Sequence, residues 1–151
     1  MDTNEYAGIT PHLTVPSTDE AVEFYKAAFG ADELIRNASD DGRVFHCELL
    51  INGGRLLLHD DFSDDGQTPT ALGGSPVTLH LYVADVDAAY QRCIEAGAES
   101  LEPPEDTFWG DRYAQIKDPA GHQWSMGTRQ EDLSLAEHEE RADEWSRGHL
   151  G

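Results

Sequence analysis

Apolar and polar positions alternate along Thr10-Pro11-His12-Leu13-Thr14-Val15, and the alternation returns 68 residues later as Thr78-Leu79-His80-Leu81-Tyr82-Val83. A period of two is the signature of a strand buried on one face, so each copy predicts a half-buried strand. Each is followed by an acidic helix start, Ser17-Thr18-Asp19-Glu20 and Ala84-Asp85-Val86-Asp87, where carboxylates face the positive end of the helix dipole. The predicted helices continue through 21–29 and 88–96 and both stop at Gly-Ala, Gly30-Ala31 and Gly97-Ala98. Glycine there fits a left-handed C-terminal cap.

The second halves correspond as well. Gly53 and Gly121 are again 68 positions apart, and short strands follow them at 55–59 and 123–127. Further strands are predicted at 43–51 and 111–117, with Asn52-Gly53-Gly54 and Asp118-Pro119-Ala120-Gly121 supplying the turns. Each unit therefore reads strand, helix, then about three strands. The reading is an α+β chain of two tandem βαβββ modules, about 8–62 and 76–128, forming a single domain over 1–128 with the boundary in the Gly- and Pro-bearing stretch 63–76. An acidic arm, 129–151, remains. Its Ser134-Leu135-Ala136-Glu137 is a capping box, and Leu135, His138, Ala142 and Trp145 fall near one face of a helix ending by Gly148. That helix is expected to pack over the domain or a partner subunit.

Composition narrows the function. The 151 residues carry 10 Lys+Arg against 30 Asp+Glu, a formal net charge of −20, with a pI near 4.4. A chain of this length buries roughly 68–70% of its unfolded surface, enough for a core without metal or disulfide staples. The negative surface and the lack of a basic stripe disfavour nucleic acid. No stretch approaches the ~18 apolar residues of a membrane span, and the opening MDTNEYAG lacks a signal-peptide pattern, so the expected compartment is the cytoplasm. Cys47 and Cys93 alone make no disulfide framework and read as buried free thiols. The acidity reads as surface solubility, of the kind seen in salt-adapted proteins; the functional alternative is a groove that attracts a cationic ligand.

The tandem unit resembles the vicinal oxygen chelate superfamily, which includes glyoxalase I, extradiol dioxygenases and bleomycin-resistance proteins. The resemblance rests on Thr78-Leu79-His80-Leu81-Tyr82-Val83-Ala84-Asp85-Val86-Asp87 and Asp118-Pro119-Ala120-Gly121-His122, and covers roughly residues 8–128. Phe108-Trp109-Gly110-Asp111-Arg112-Tyr113, followed by His122-Gln123-Trp124, is similar to the glyoxalase/bleomycin-resistance-like, or PhnB-like, branch. The resemblance implies a cup formed by the two sheets. In metal-using members four ligands, usually His and Glu, come from the first and last strand of each unit. Carried onto this chain they fall on Thr10, Leu57, Thr78 and Ser125, none a customary ligand.

Period-two spacing places His12, His80 and His59 on the same strand faces as Thr10, Thr78 and Leu57. Two readings follow. One is a cup without the family metal and without a cofactor, lined by these residues and Ser125 and closed by Trp109 and Arg112, that binds a cationic or aromatic small molecule. The alternative is a displaced His12/His59/His80 site holding one divalent metal such as zinc, iron, nickel or manganese, open at Gly127, in a lyase, isomerase or dioxygenase. Glu48 and His46 could add a carboxylate or base, and metal-free proton transfer by the histidines is a third possibility. Trp124 is expected in the core, Arg112 has Asp111 as its alternative partner, and His122 and His138 read as turn and surface residues. The resemblance and the amphipathic tail together imply a homodimer.

Overall fold

The computed structural model describes residues 6–151; Met1–Glu5, most of the opening segment considered above, lie outside the described residues. The elements run β1 (His12–Val15), α1 (Thr18–Phe29), β2 (Asp32–Ala38), β3 (Val44–Ile51), β4 (Gly54–Asp60), α2 (Pro69–Leu72), β5 (Thr78–Tyr82), α3 (Val86–Glu95), β6 (Glu99–Asp106), β7 (Asp111–Lys117), β8 (Gln123–Arg129) and α4 (Leu135–His149). They build two four-stranded mixed sheets of identical topology, β1-β4-β3-β2 and β5-β8-β7-β6, in which the first and last strands of each unit are parallel.

Local chemistry sets the helix limits. Ser17 Oγ accepts from Glu20 N (3.3 Å) and Asp85 Oδ1 from Ala88 N (3.2 Å), each satisfying an otherwise orphaned first-turn donor. Helix α1 ends on Gly30 at φ +66°, whereas α3 ends on Ala96 in right-handed geometry and passes the left-handed step to Gly97 at φ +107°. The repeat extends to the strand ends. Asp60 Oδ1 accepts from Thr18 N (2.6 Å), and 68 residues later Thr128 Oγ1 accepts from Val86 N (2.8 Å), so each unit ties its last strand to the start of its helix.

Strands β2 and β6, whose positions the pattern left open, are the outer and mostly exposed members of their sheets. Their registers carry bulges, and β6 contains Pro103-Pro104, which an edge tolerates because no partner needs the missing N–H. The linker holds a short helix, α2, capped by Thr68.

The helix-covered faces of both sheets share one core, which joins Leu13, Val15, Leu49 and Leu58 of the first unit to Ala114, Ile116 and Met126 of the second. Trp124, core as expected, lies between them, with ring centroids 5.5 Å from Tyr25 and 4.9 Å from Phe29. Beneath it Asp118, 3% exposed, collects four donors: Tyr25 Oη (2.5 Å) and Trp124 Nε1 (2.9 Å) at Oδ2, and the backbone N–H groups of Ala120 (2.9 Å) and His122 (3.0 Å) at Oδ1. One carboxylate thus folds the β7–β8 turn and clamps the units together. His122 is more than a turn residue, since its Nε2 donates to Thr14 O (2.9 Å) across the same junction.

Cys47 and Cys93 are buried free thiols, both pushed up to about 11 chiefly by burial. Helix α4 buries no residue of its own. Its hold on the body includes His138 stacked on Phe108, Trp145 tilted against the same ring, and the Arg141–Glu131 ion pair (2.5 Å).

Candidate functional site

The strand registers decide which residues stand at the four equivalent corners of the repeat. His12, not Thr10, is paired with Leu57, and His80, not Thr78, with Ser125. The corners are therefore two imidazoles, one alkyl chain and one hydroxyl, two residues along the first strands from the positions carried over by resemblance.

On the first sheet, His12 lies edge-on to His59 with ring centroids 4.9 Å apart. His59 Nδ1 is 2.7 Å from Asp60 O, and because a carbonyl only accepts, Nδ1 donates this bond. His46 Nε2 and Arg55 Nη1 each stand 3.7 Å from a Glu48 oxygen. Burial, then the neighbouring His59 and His46, hold His12 below the ordinary histidine range.

His80 belongs to a different set. Its Nδ1 meets Ser125 Oγ at 2.7 Å, and its ring stands 4.7 Å from Tyr82 and 6.1 Å from Tyr113, nearly parallel to the latter. Burial lowers its pKa, opposed by Asp111. Asp111, 1% exposed, accepts from Trp109 Nε1 (3.1 Å) and pairs with Arg129 Nε (3.1 Å). A side chain at Gly127 would come within 3.5 Å of both His80 and Asp111, so glycine leaves the imidazole its room. Among the described residues no group of three or more His, Cys, Asp or Glu is arranged to hold a metal ion. The set His12, His59 and His80 is split between two clusters, and the donors at the corners do not fit the family metal because Leu57 has no atom to coordinate one.

A cavity of about 690 Å3 opens where the start of β1 and the β3–β4 hairpin meet β5. Of the expected residues it is lined by Thr10, Thr78 and His80, with Ser125 holding His80 from behind. His12, Leu57 and His59 lie on the first sheet outside it, and Trp109 is a neighbour of Tyr113. Arg112 is turned away: odd and even positions of β7 face opposite sides, and its guanidinium pairs with Asp87 of α3 (2.8 Å) and with Asp106 (3.1 Å) rather than with Asp111 or a ligand. His138, read as a surface residue, stacks on Phe108 at 5.9 Å beside a second hollow under α4.

The remaining walls, including Leu50, Arg55, Leu56, Leu79, Leu81 and Trp124, were not singled out by sequence. Arg55 was within reach, since it shares the face of Leu57 and His59 by period two. Leu79 and Leu81 were not, because their alternation assigns them to the core and only the uncovered edge of β5 exposes them to the cavity.

The family model of the Glyoxalase/Bleomycin resistance protein/Dioxygenase superfamily matches residues 6–126. A Mycobacterium tuberculosis protein, Rv0887c, is 43% identical over 141 residues, covering 91% of this chain and 83% of its own. The Arabidopsis thaliana protein At5g48480 is 32% identical over 112 residues, covering 70% and 68%. Among solved structures, TioX from Micromonospora sp. ML1 aligns with a TM-score of 0.64 at 25% identity over 82% of this chain and 98% of its own. The fosfomycin resistance protein FosX from Listeria monocytogenes, complexed with Mn(II) and sulfate, aligns at 0.63 with 16% identity over 90% and 97%, a likeness of fold.

Proposed function

Because the chain belongs to the Glyoxalase/Bleomycin resistance protein/Dioxygenase superfamily, whose fold carries unrelated chemistries, we propose that it is a small-molecule-binding protein that works without the usual family metal. The observation that carries this reading is the 690 Å3 cavity bounded by both modules, within the size range of small-molecule pockets and walled mainly by apolar side chains with a few polar groups. Thr10, Thr78 and His80 supply the hydrogen-bonding groups, and Ser125 fixes the imidazole. The chemistry at the corners supports the absence of a metal step, because two imidazoles, a leucine and a serine lack the carboxylate and the fourth donor of a metal-using member. A homodimer belongs to this reading, with the open Leu34, Ile35 and Phe45 as its apolar contribution.

The test is elemental analysis of the purified protein, beside a fluorescence screen for ligands before and after chelator treatment. We expect no stoichiometric zinc, iron, nickel or manganese and ligand affinity unchanged by the chelator. A bound metal lost in both His12→Ala and His80→Ala overturns the reading.

A further inference from the structure

Five of the residues around the cavity, Tyr6, Ala7, Ile9, Thr10 and Pro11, belong to one segment that runs along its mouth before β1 begins. Both ends of this segment are attached. At one end the Arg55 guanidinium lies over the Tyr6 ring, with Cζ 4.5 Å from the ring centroid, and at the other Pro11 O accepts from Leu57 N (2.9 Å). Between them Ile9 is 98% exposed, more than any other large apolar side chain among the described residues. Resting on the small-molecule reading above, we propose that residues 6–11 form a strap that closes over an apolar ligand, with Gly8 as its hinge and Ile9 as the side chain that comes down on the ligand.

The physical case is one of unused apolar surface beside an apolar hollow. An isoleucine in water forgoes the favourable transfer of its side chain out of water, yet Ile9 borders a cavity whose walls include Leu34, Leu50, Leu56, Leu79 and Leu81. An empty cavity gives it nothing to cover, whereas a ligand that fills the cavity presents apolar surface at the mouth. Gly8 stands at φ +83°, a left-handed conformation that costs glycine nothing, and a Cβ built there would meet no heavy atom within 4 Å. The residue next to Ile9 therefore has both the dihedral freedom and the surrounding space to turn. Because the two ends are held, closure is a rotation inside a short tethered segment rather than the docking of a loose tail, and it orders few residues. Closure of this kind expels water from a site and slows the escape of what it covers.

The experiment titrates the neutral fluorescent probe phenylnaphthylamine into the full chain, with dissociation followed by stopped flow and subunit count by sedimentation. Ile9→Ala should weaken the probe about tenfold, mostly through faster dissociation, the size of removing one isoleucine side chain from an apolar contact. The side chain is in water in the free protein, so Tm should stay within about 3 °C of the wild type and lost folding is not the cause. Ile9→Leu should bind the probe to within about twofold of the wild type. Hydrogen exchange at the amides of residues 7–10 should slow severalfold when the probe is bound. Unchanged dissociation in Ile9→Ala, or unchanged exchange at those amides, overturns the strap and leaves the cavity reading standing. A changed subunit count in Ile9→Ala with unchanged probe binding assigns the side chain to a contact between copies and overturns the strap equally. A wild type that binds no probe overturns the strap, since its ligand is apolar, and leaves the cavity to the screen above. If Leu79→Arg and Leu50→Trp, which block the cavity, leave probe binding unaltered, the cavity is not the site and both readings fail.

Discussion

Replacing Asp118 by asparagine attacks the junction on which the relative placement of the two units depends. The carboxylate accepts from Tyr25 and Trp124 at one oxygen and from two backbone N–H groups at the other. An asparagine can keep its carbonyl for the turn, but its NH2 then faces two donors. Tyr25 can rotate its hydroxyl to accept, whereas the Trp124 N–H cannot and is left buried and unpaired. Losing hydrogen bonds to a charged acceptor costs about 1.5–3 kcal/mol, and the orphaned donor adds about 1–3. The expected loss is about 3–5 kcal/mol, a large share of the roughly 5–15 kcal/mol of a typical domain, and lowers Tm by about 6–20 °C. Urea unfolding followed by circular dichroism measures it. Tyr25→Phe should cost less, about 1–3 kcal/mol, and the double variant should fall short of the sum because the groups share one oxygen. Burial, then the Asp118 charge, raise the Tyr25 pKa well above 10.0. The tyrosine's contribution is therefore complete below pH 10 and is lost as pH rises through the folded value, so the wild type should lose more stability in alkali than Tyr25→Phe. A loss under about 0.5 kcal/mol for Asp118→Asn, within the range of a surface substitution, would refute the clamp.

Three further outcomes are expected. His12 and His80 have lowered pKa values, so folding favours their neutral forms; their imidazole proton resonances should titrate below 6.5, and stability should be complete above 6.5 and decline as pH falls through the lowered values, less so in His12→Gln. Gly127→Ala places a Cβ 3.4 Å from His80, an ordinary contact, and should fold and bind as the wild type does; Gly127→Val should displace the imidazole and weaken binding of a ligand found in the fluorescence screen about tenfold, by titration, with Tm lowered by only a few degrees. Truncation after Leu133 removes α4, which buries no side chain, so calorimetry should find the melt of the body changed by about 1 kcal/mol or less, with Phe108 newly exposed.

The duplicated unit, its helices and their caps were legible in the sequence because they are local: a period of two, a carboxylate at a helix start and a glycine beyond its end act over a few residues. The same locality identified Trp124 as core and the two cysteines as buried thiols. The edge strands β2 and β6 escaped because they are exposed on both faces and bulged, so no alternation is imposed on them. The site depended on registers that no single segment contains. A shift of two residues between β1 and β4 exchanges Thr10 for His12 opposite Leu57, and hydrophobic pattern is blind to it because both residues lie on the same face. Likewise, the separation of His80 from the His12–His59 pair follows from the packing of one module against the other through Asp118, Tyr25 and Trp124. Periodicity assigns faces; only the contact between distant segments decides which faces meet, and that contact made a cavity lined by Arg55 and β5, where strand pattern alone left open both a metal-free cup and, as the alternative, three converging imidazoles.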